Sequence, residues 1–266
     1  MTDSLIYAKN ERGVVTLTLN RPSVHNAFGD ELIQQMISAL EQANDDDDVR
    51  LLVITGNGKS FSAGADLNWM RKMAAASAEE NEQDALRLAQ MLRRLNYHSR
   101  PTIARINGSA FGGGLGLAAC CDIAIATDQA QFALTEVRLG LVPATISPYV
   151  FRRIGETQAR RYFLTAERFS AEKALQLGLV HEVVEEDQLD QAVDRQVSHI
   201  LAAGPLAVRH SKKLVFHAAN TDVTSQRQID QDNARLIARL RVSVEGQEGL
   251  TAFLEKRTPS WVRENG

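Results

Sequence analysis

The stretch "NGSAFGGGLGLAACCD", Asn107 to Asp122, sets three glycines, Gly112 to Gly114, and a fourth, Gly116, at the start of an apolar run. Inside a helix each glycine costs roughly 1 kcal/mol relative to alanine, so the run needs a reason. It follows "PTIARING", a strand-like segment. A strand, a glycine-rich turn and a helix in series leave unsatisfied backbone N–H groups at the helix start, with the positive end of the dipole behind them. Negative charge developing on an oxygen is stabilised there by roughly 3–4 kcal/mol per donor. Taken alone, the glycines are explained about as well by close helix–strand packing. A second stretch shifts the balance. "GKSFSAGADLNWM", Gly58 to Met70, follows the apolar run "LLVITG" and leads through Ala63, Gly64 and Ala65 into a helix from Asp66. Two such turns after two parallel strands would each offer one N–H to a single carbonyl oxygen. That is an oxyanion hole made of backbone, suited to the enolate of a thioester.

The flanking sequence supplies elements able to hold such turns. "GVVTLTLNRP" reads as a strand ended by a proline turn, and "RLLVITG", "PTIARING" and "CDIAIATDQAQFAL" as buried strands. Between them, Leu32, Ile33, Met36, Ile37 and Leu40 recur at helical spacing, and Glu79 to Asn96 is a second helical stretch. Strands alternating with helices predict an α/β fold with a largely parallel, covered sheet. After about Pro148 the strands almost stop, and Asp187 to Glu255 reads helical. In that tail Leu236, Ile237, Leu240, Val244, Leu250 and Phe253 form an apolar set that an oligomer interface would cover.

Composition narrows the function classes. The 266 residues are 44% apolar and 24% charged, with a net charge of -3, which gives no general attraction to nucleic acid or anionic membrane. The only two cysteines, Cys120 and Cys121, are adjacent in an apolar run, so no disulfide framework is expected and a reducing cytoplasm suits the chain. No apolar run has the length of a membrane span, and "MTDSLIYAKN" lacks the features of a signal peptide. Two phosphate-loop look-alikes fail: "GNGKS" would need glycine where Val53 stands, and "GGGLGL" would need it at Leu117. The six histidines are scattered, without HExxH or zinc-finger spacing, so no metal site is expected.

Four ordered motifs then carry a resemblance. "LNRPSVHNAF", "GNGKSFSAGADL", "NGSAFGGGLGLAACCDIAIA" and "FALTEVRLGLVP", continued by "GETQARRYFLTAERFSAEKALQLGLVHEVV" and "GLTAFLEKRTPSW", resemble the enoyl-CoA hydratase/isomerase (crotonase) superfamily over nearly the whole chain. The resemblance implies a spiral of repeated ββα units over residues 1–200 and a helical C-terminal trimerisation region over 201–266. It also implies a homotrimer or a dimer of trimers. It places the oxyanion hole at the N–H groups of Ala65 and Gly113. Coenzyme A would be bound around Val24, His25, Lys59, Ala63, Ala65, Asp66 and Leu67, with Phe253 and Lys256 reaching a neighbouring subunit's ligand. Coenzyme A is then part of the substrate, and no separate cofactor is implied.

Hydratases of this family typically use two glutamates. The second matches Glu136, whose neighbours Leu134, Val137, Leu139 and Leu141 would desolvate it and raise its pKa. The position of the first is Gly116. "VPATISPYVFRRIG" also replaces a commoner glycine-rich segment. Together, "GGGLGL" and "PATISPYV" resemble bacterial methylglutaconyl-CoA hydratases of leucine breakdown and related isohexenylglutaconyl-CoA hydratases, whose branched substrates carry a second carboxylate. On this reading Gly116, Trp69 and Tyr149 line the acyl pocket. A lone glutamate also suits a Δ3,Δ2-enoyl-CoA isomerase. A non-catalytic acyl-CoA- or RNA-binding member is a third class, disfavoured by the lack of a basic run.

Overall fold

The computed structural model describes residues 3–262. Six strands form the larger sheet, in the order β1 (Leu5–Lys9), β2 (Val14–Leu19), β3 (Leu51–Gly56), β5 (Thr102–Ile106), β7 (Ile123–Thr127) and β10 (Glu182–Val184). Only β1 and β2 pair antiparallel; the rest are parallel. All six residues of β3 are buried, as the unbroken run "LLVITG" requires of a strand covered on both faces. A smaller sheet runs β4 (Ser60–Ser62), β6 (Ser109–Phe111), β8 (Gln131–Ala133) and β9 (Phe169–Ser170), with β4, β6 and β8 parallel.

The chain alternates between the sheets. Three strands of the larger sheet are each followed by a short one and then by a helical segment. β3 and β4 lead to α2 (Leu67–Ala75), β5 and β6 to α4 (Gly113–Cys120), and β7 and β8 to a 3₁₀ turn, Glu136–Leu139. These three successive ββα-like turns are the predicted spiral. α1 (Asp30–Asp45) buries the predicted face, with Leu32, Ile33, Met36, Ile37 and Leu40 inside. α3 (Ala78–Asn96) starts at Ser77 with a capping box to Glu80. α5 (Ser147–Thr165), α6 (Ala171–Gln176) and α7 (Leu189–Leu201) complete the core.

The tail comprises α8 (Pro205–Ala218), α9 (Val223–Arg241) and α10 (Val244–Leu254). α9 packs along α3, and a shared cluster joins Met70, Ala85, Leu141 and Ala144 to Ala234, Ile237 and Leu250. This corrects the expectation of one open apolar face in the tail. Ile237 and Leu250 are buried within the chain, and only Leu236, Val244 and Phe253 stay exposed. α8 buries no residue at all, and Leu206, Leu214 and Val215 are each about two-thirds exposed. Among the described residues, no helix is long and apolar enough to cross a membrane.

α4 and α5 meet at Gly116. A Cβ there would lie 2.6 Å from Cβ of Ile146 and closer still to its Cγ2. Ile146 is only 1% exposed and has little room to retreat. Helix propensity alone would make Gly116→Ala stabilising, by up to about 1 kcal/mol. Overpacking reverses the sign: the variant should lose about 1–3 kcal/mol. Urea denaturation of the two proteins decides between these outcomes.

Candidate active site

Because β4, β6 and β8 run parallel and side by side, their C-terminal ends emerge along one edge. Ligand sites in parallel sheets form off such ends. The segments that leave this edge are Ala63–Asp66, Gly112–Gly113 and Thr135–Glu136. All three border one cavity of about 500 Å³. The two glycine/alanine turns touch: a Cβ on Gly64 would lie 2.8 Å from the Phe111 carbonyl oxygen and 3.5 Å from the Gly113 nitrogen.

The backbone leaves two donors open. Phe28 and Ala65 form a lone parallel bridge, in which Phe28 N–H donates to Gly64 O at 2.6 Å and Asp66 N–H to Phe28 O at 2.8 Å. The bridge uses the groups on either side of Ala65, and the Ala65 N–H has no acceptor among the described residues. Gly113 opens α4, where a helix N–H has no intrahelical acceptor, and it too is unpaired. Gly112 sets up that helix start with a left-handed φ of 48°, a conformation that favours glycine. Its N–H donates to Ala133 O at 2.9 Å, which ties this turn to the end of β8.

The carboxyl of Glu136 packs against the same glycine, so close that a Cβ on Gly112 would lie 3.1 Å from Oε1. Oε2 is buried without a hydrogen-bond partner. Burial pushes the Glu136 pKa up to about 7, opposed only by a backbone N–H of the residue itself. It is the sole carboxylate among the described residues lining the cavity. An acid that is half ionised near neutrality can both take and return a proton.

The other expected site residues divide. Ala63, Ala65, Trp69, Gly113, Glu136 and Phe253 line the cavity. Phe253 does so in its own chain. Val24 and His25 form a turn pinned beside β4: Ala63 N–H donates to His25 O at 2.9 Å, and His25 Nδ1 lies 3.0 Å from Ser60 Oγ. Val24, His25, Lys59, Leu67 and Lys256 lie outside the cavity wall, all on the exposed surface. Asp66 lies off the wall too and is committed to structure. Its Oδ1 accepts from the N–H groups of Asn68 and Trp69 and caps α2, while Oδ2 pairs with Arg21 Nη2 at 2.8 Å. These hydrogen bonds and Arg21 hold its pKa low against the cost of burial.

Two expectations for the acyl pocket are corrected. Gly116 does not line the cavity, because the space beside it is filled by Ile146, which does. Tyr149 is buried off the cavity, its hydroxyl unpartnered and its pKa raised by burial. The wall that the sequence reading missed is built by Met70, Met73, Leu141, Ile237, Leu250 and Arg241. Their signal was helical phase: Ala234, Ile237 and Arg241 share one face of α9, so a charge follows the buried stripe inward.

Comparison with known proteins finds relatives over nearly the whole chain. A family model described as enoyl-CoA hydratase/isomerase matches residues 9–264. A crotonyl-CoA hydratase of Syntrophomonas wolfei is 35% identical over 262 residues, 98% of each chain. A 2,3-dehydroadipyl-CoA hydratase of Escherichia coli is 34% identical, over 97% of this chain and 98% of the other. The solved structure of an enoyl-CoA hydratase from Shewanella pealeana superposes with a TM-score of 0.78 at 45% identity, over 97% of this chain and 96% of its own.

The raised pKa of Glu136 has a consequence for stability. The folded chain keeps this proton up to about pH 7, whereas an unfolded glutamate loses it near 4.3. The stability that the protonated form contributes is therefore complete below the unfolded value and is lost as pH rises through 7. Glu136→Gln removes the titration. It should gain about 1–3 kcal/mol over the wild-type protein at about pH 8 and nothing near pH 4.5. Denaturant titrations at both pH values measure this, and a gain independent of pH would refute burial as the cause.

Proposed function

The chain belongs to the enoyl-CoA hydratase/isomerase family, and on that premise we propose that it is a hydratase adding water across the α,β double bond of an acyl-CoA thioester. The finer reading is a branched glutaconyl-type acyl group such as that of 3-methylglutaconyl-CoA, an intermediate of leucine breakdown. The observation that carries the activity is the placement of the Glu136 carboxyl, with Oε2 buried and unpartnered, against the turn that also presents the Gly113 N–H. Support for the acyl group comes from the motifs "GGGLGL" and "PATISPYV".

In the proposed reaction the thioester carbonyl oxygen accepts from the N–H groups of Ala65 and Gly113. Ionised Glu136 takes a proton from water as the water oxygen bonds to Cβ. The π electrons move onto the thioester oxygen, and the two N–H groups hold the resulting enolate. Glu136 then returns the proton to Cα as the carbonyl re-forms, which regenerates the carboxylate. This cycle uses one carboxylate for both proton steps and draws on no separate cofactor. Because Ile146 fills the space beside Gly116, the same geometry also favours a second reading. A Δ3,Δ2-enoyl-CoA isomerase needs only one group to carry a proton between two carbons.

The exposed Leu206, Leu214 and Val215 of α8 support self-association, as a homotrimer or a dimer of trimers. A cytoplasmic location belongs to the same proposal.

Glu136→Gln should lower turnover by about 10²–10⁴-fold, as expected for a general acid–base group, with little change in acyl-CoA affinity. In the wild-type enzyme kcat/KM should rise with pH through about 7, the ionisation of Glu136. Assays of crotonyl-, 3-methylglutaconyl- and longer branched glutaconyl-CoA test the substrate class. Formation of 3-hydroxyacyl-CoA supports the hydratase; double-bond migration alone on matched substrates would replace it with the isomerase.

A further inference from the structure

The cavity wall made by α2, α9 and α10 is apolar except for one side chain. Arg241, the last residue of α9, sits among Met70, Met73, Ile237 and Leu250 with its side chain only 12% exposed. Its Nη1 donates to Asp84 Oδ2 at 3.0 Å and to Asn81 Oδ1 at 3.1 Å. The guanidinium lies 5.5 Å from the centre of the Trp69 ring, and Trp69 Nε1–H donates to Asp84 Oδ1 at 2.9 Å. The group is thus held rigidly, yet its Nε and Nη2 donors meet no acceptor among the described residues.

Asp84 and its neighbour Asp30 have further cationic partners at the surface. Arg87 lies 3.3 Å from Asp84 and 3.6 Å from Asp30, and Asp30 also pairs with Lys72. Lys72 and Arg87 are exposed to solvent, so Arg241 is the enclosed cation of this group. An enclosed guanidinium with open donors favours an anionic partner. The other guanidinium groups on the cavity differ. Arg138 and Arg168 are exposed, and Arg257 is held by Glu248 and Glu255.

We propose that Arg241 recognises a carboxylate at the end of the acyl chain remote from the thioester, and so sets the specificity of this site for dicarboxylic acyl groups. Its free Nε–Nη2 edge has the geometry that pairs an arginine with both oxygens of a carboxylate. The proposal rests on the acyl-CoA reading above and adds the residue that selects among acyl-CoA thioesters.

Binding of two saturated thioesters, glutaryl-CoA and butyryl-CoA, tests it by titration calorimetry, without turnover. The wild-type protein should bind glutaryl-CoA at least about tenfold more tightly. Arg241→Gln should abolish that preference while leaving butyryl-CoA affinity within about threefold, and Arg241→Lys should retain part of it. Equal loss of both affinities in Arg241→Gln would make the residue structural and overturn the proposal. So would equal binding of both thioesters by the wild-type protein, a comparison that stands even where the variant fails to fold. Hydration of crotonyl-CoA by that same protein separates the two readings: if it persists while the preference is absent, only the role of Arg241 falls.

Discussion

Three short parallel strands, β4, β6 and β8, carry the constraint on which the site depends. Parallel pairing forces their carboxyl ends onto one edge, and the register fixes which residue emerges beside which. Ser62 leads into the Ala65 turn, Phe111 into Gly112 and Gly113, and Ala133 into Glu136. A backbone donor at such an edge costs little to keep open, because the strand has already ended and the helix has not yet claimed it. The larger sheet holds this edge in place, since each short strand follows a long one buried in the core.

Glu136 shows the price of that arrangement. A carboxyl with one oxygen unpartnered and no cation beside it is unfavourable in any ground state. The carboxylate beside the Ala65 turn shows the opposite environment. Asp66, the residue next to Ala65, spends both oxygens on the α2 cap and Arg21. The two carboxylates show how environment separates roles: one is ionised and structural, the other is poised near neutrality.

Local pattern made much of this readable from the sequence. The β3 run, the face of α1 and the two glycine/alanine turns follow from period and composition, and the apolar neighbours of Glu136 announced its burial. What was not readable depends on contacts between distant segments. That Ile146 fills the space beside Gly116 is a matter of how α5 meets α4, which no spacing encodes. Tyr149, one turn after Ile146 in α5, is buried off the cavity, which only the packing of that helix decides. Arg241 was hidden for the opposite reason: a charged residue near a helix end ordinarily reads as solvated, and only its phase with Ile237 places it inside.

The cavity draws its two halves from remote parts of the chain. The open N–H groups and the carboxyl come from the turns between Ala63 and Glu136, whereas part of the apolar wall comes from α9 and α10. Substitutions in the tail can therefore reshape the cavity without disturbing the donors or the carboxyl. Such a division makes the fold modular: the shape of the cavity can be altered in one stretch of sequence while the polar groups at its edge are left to another.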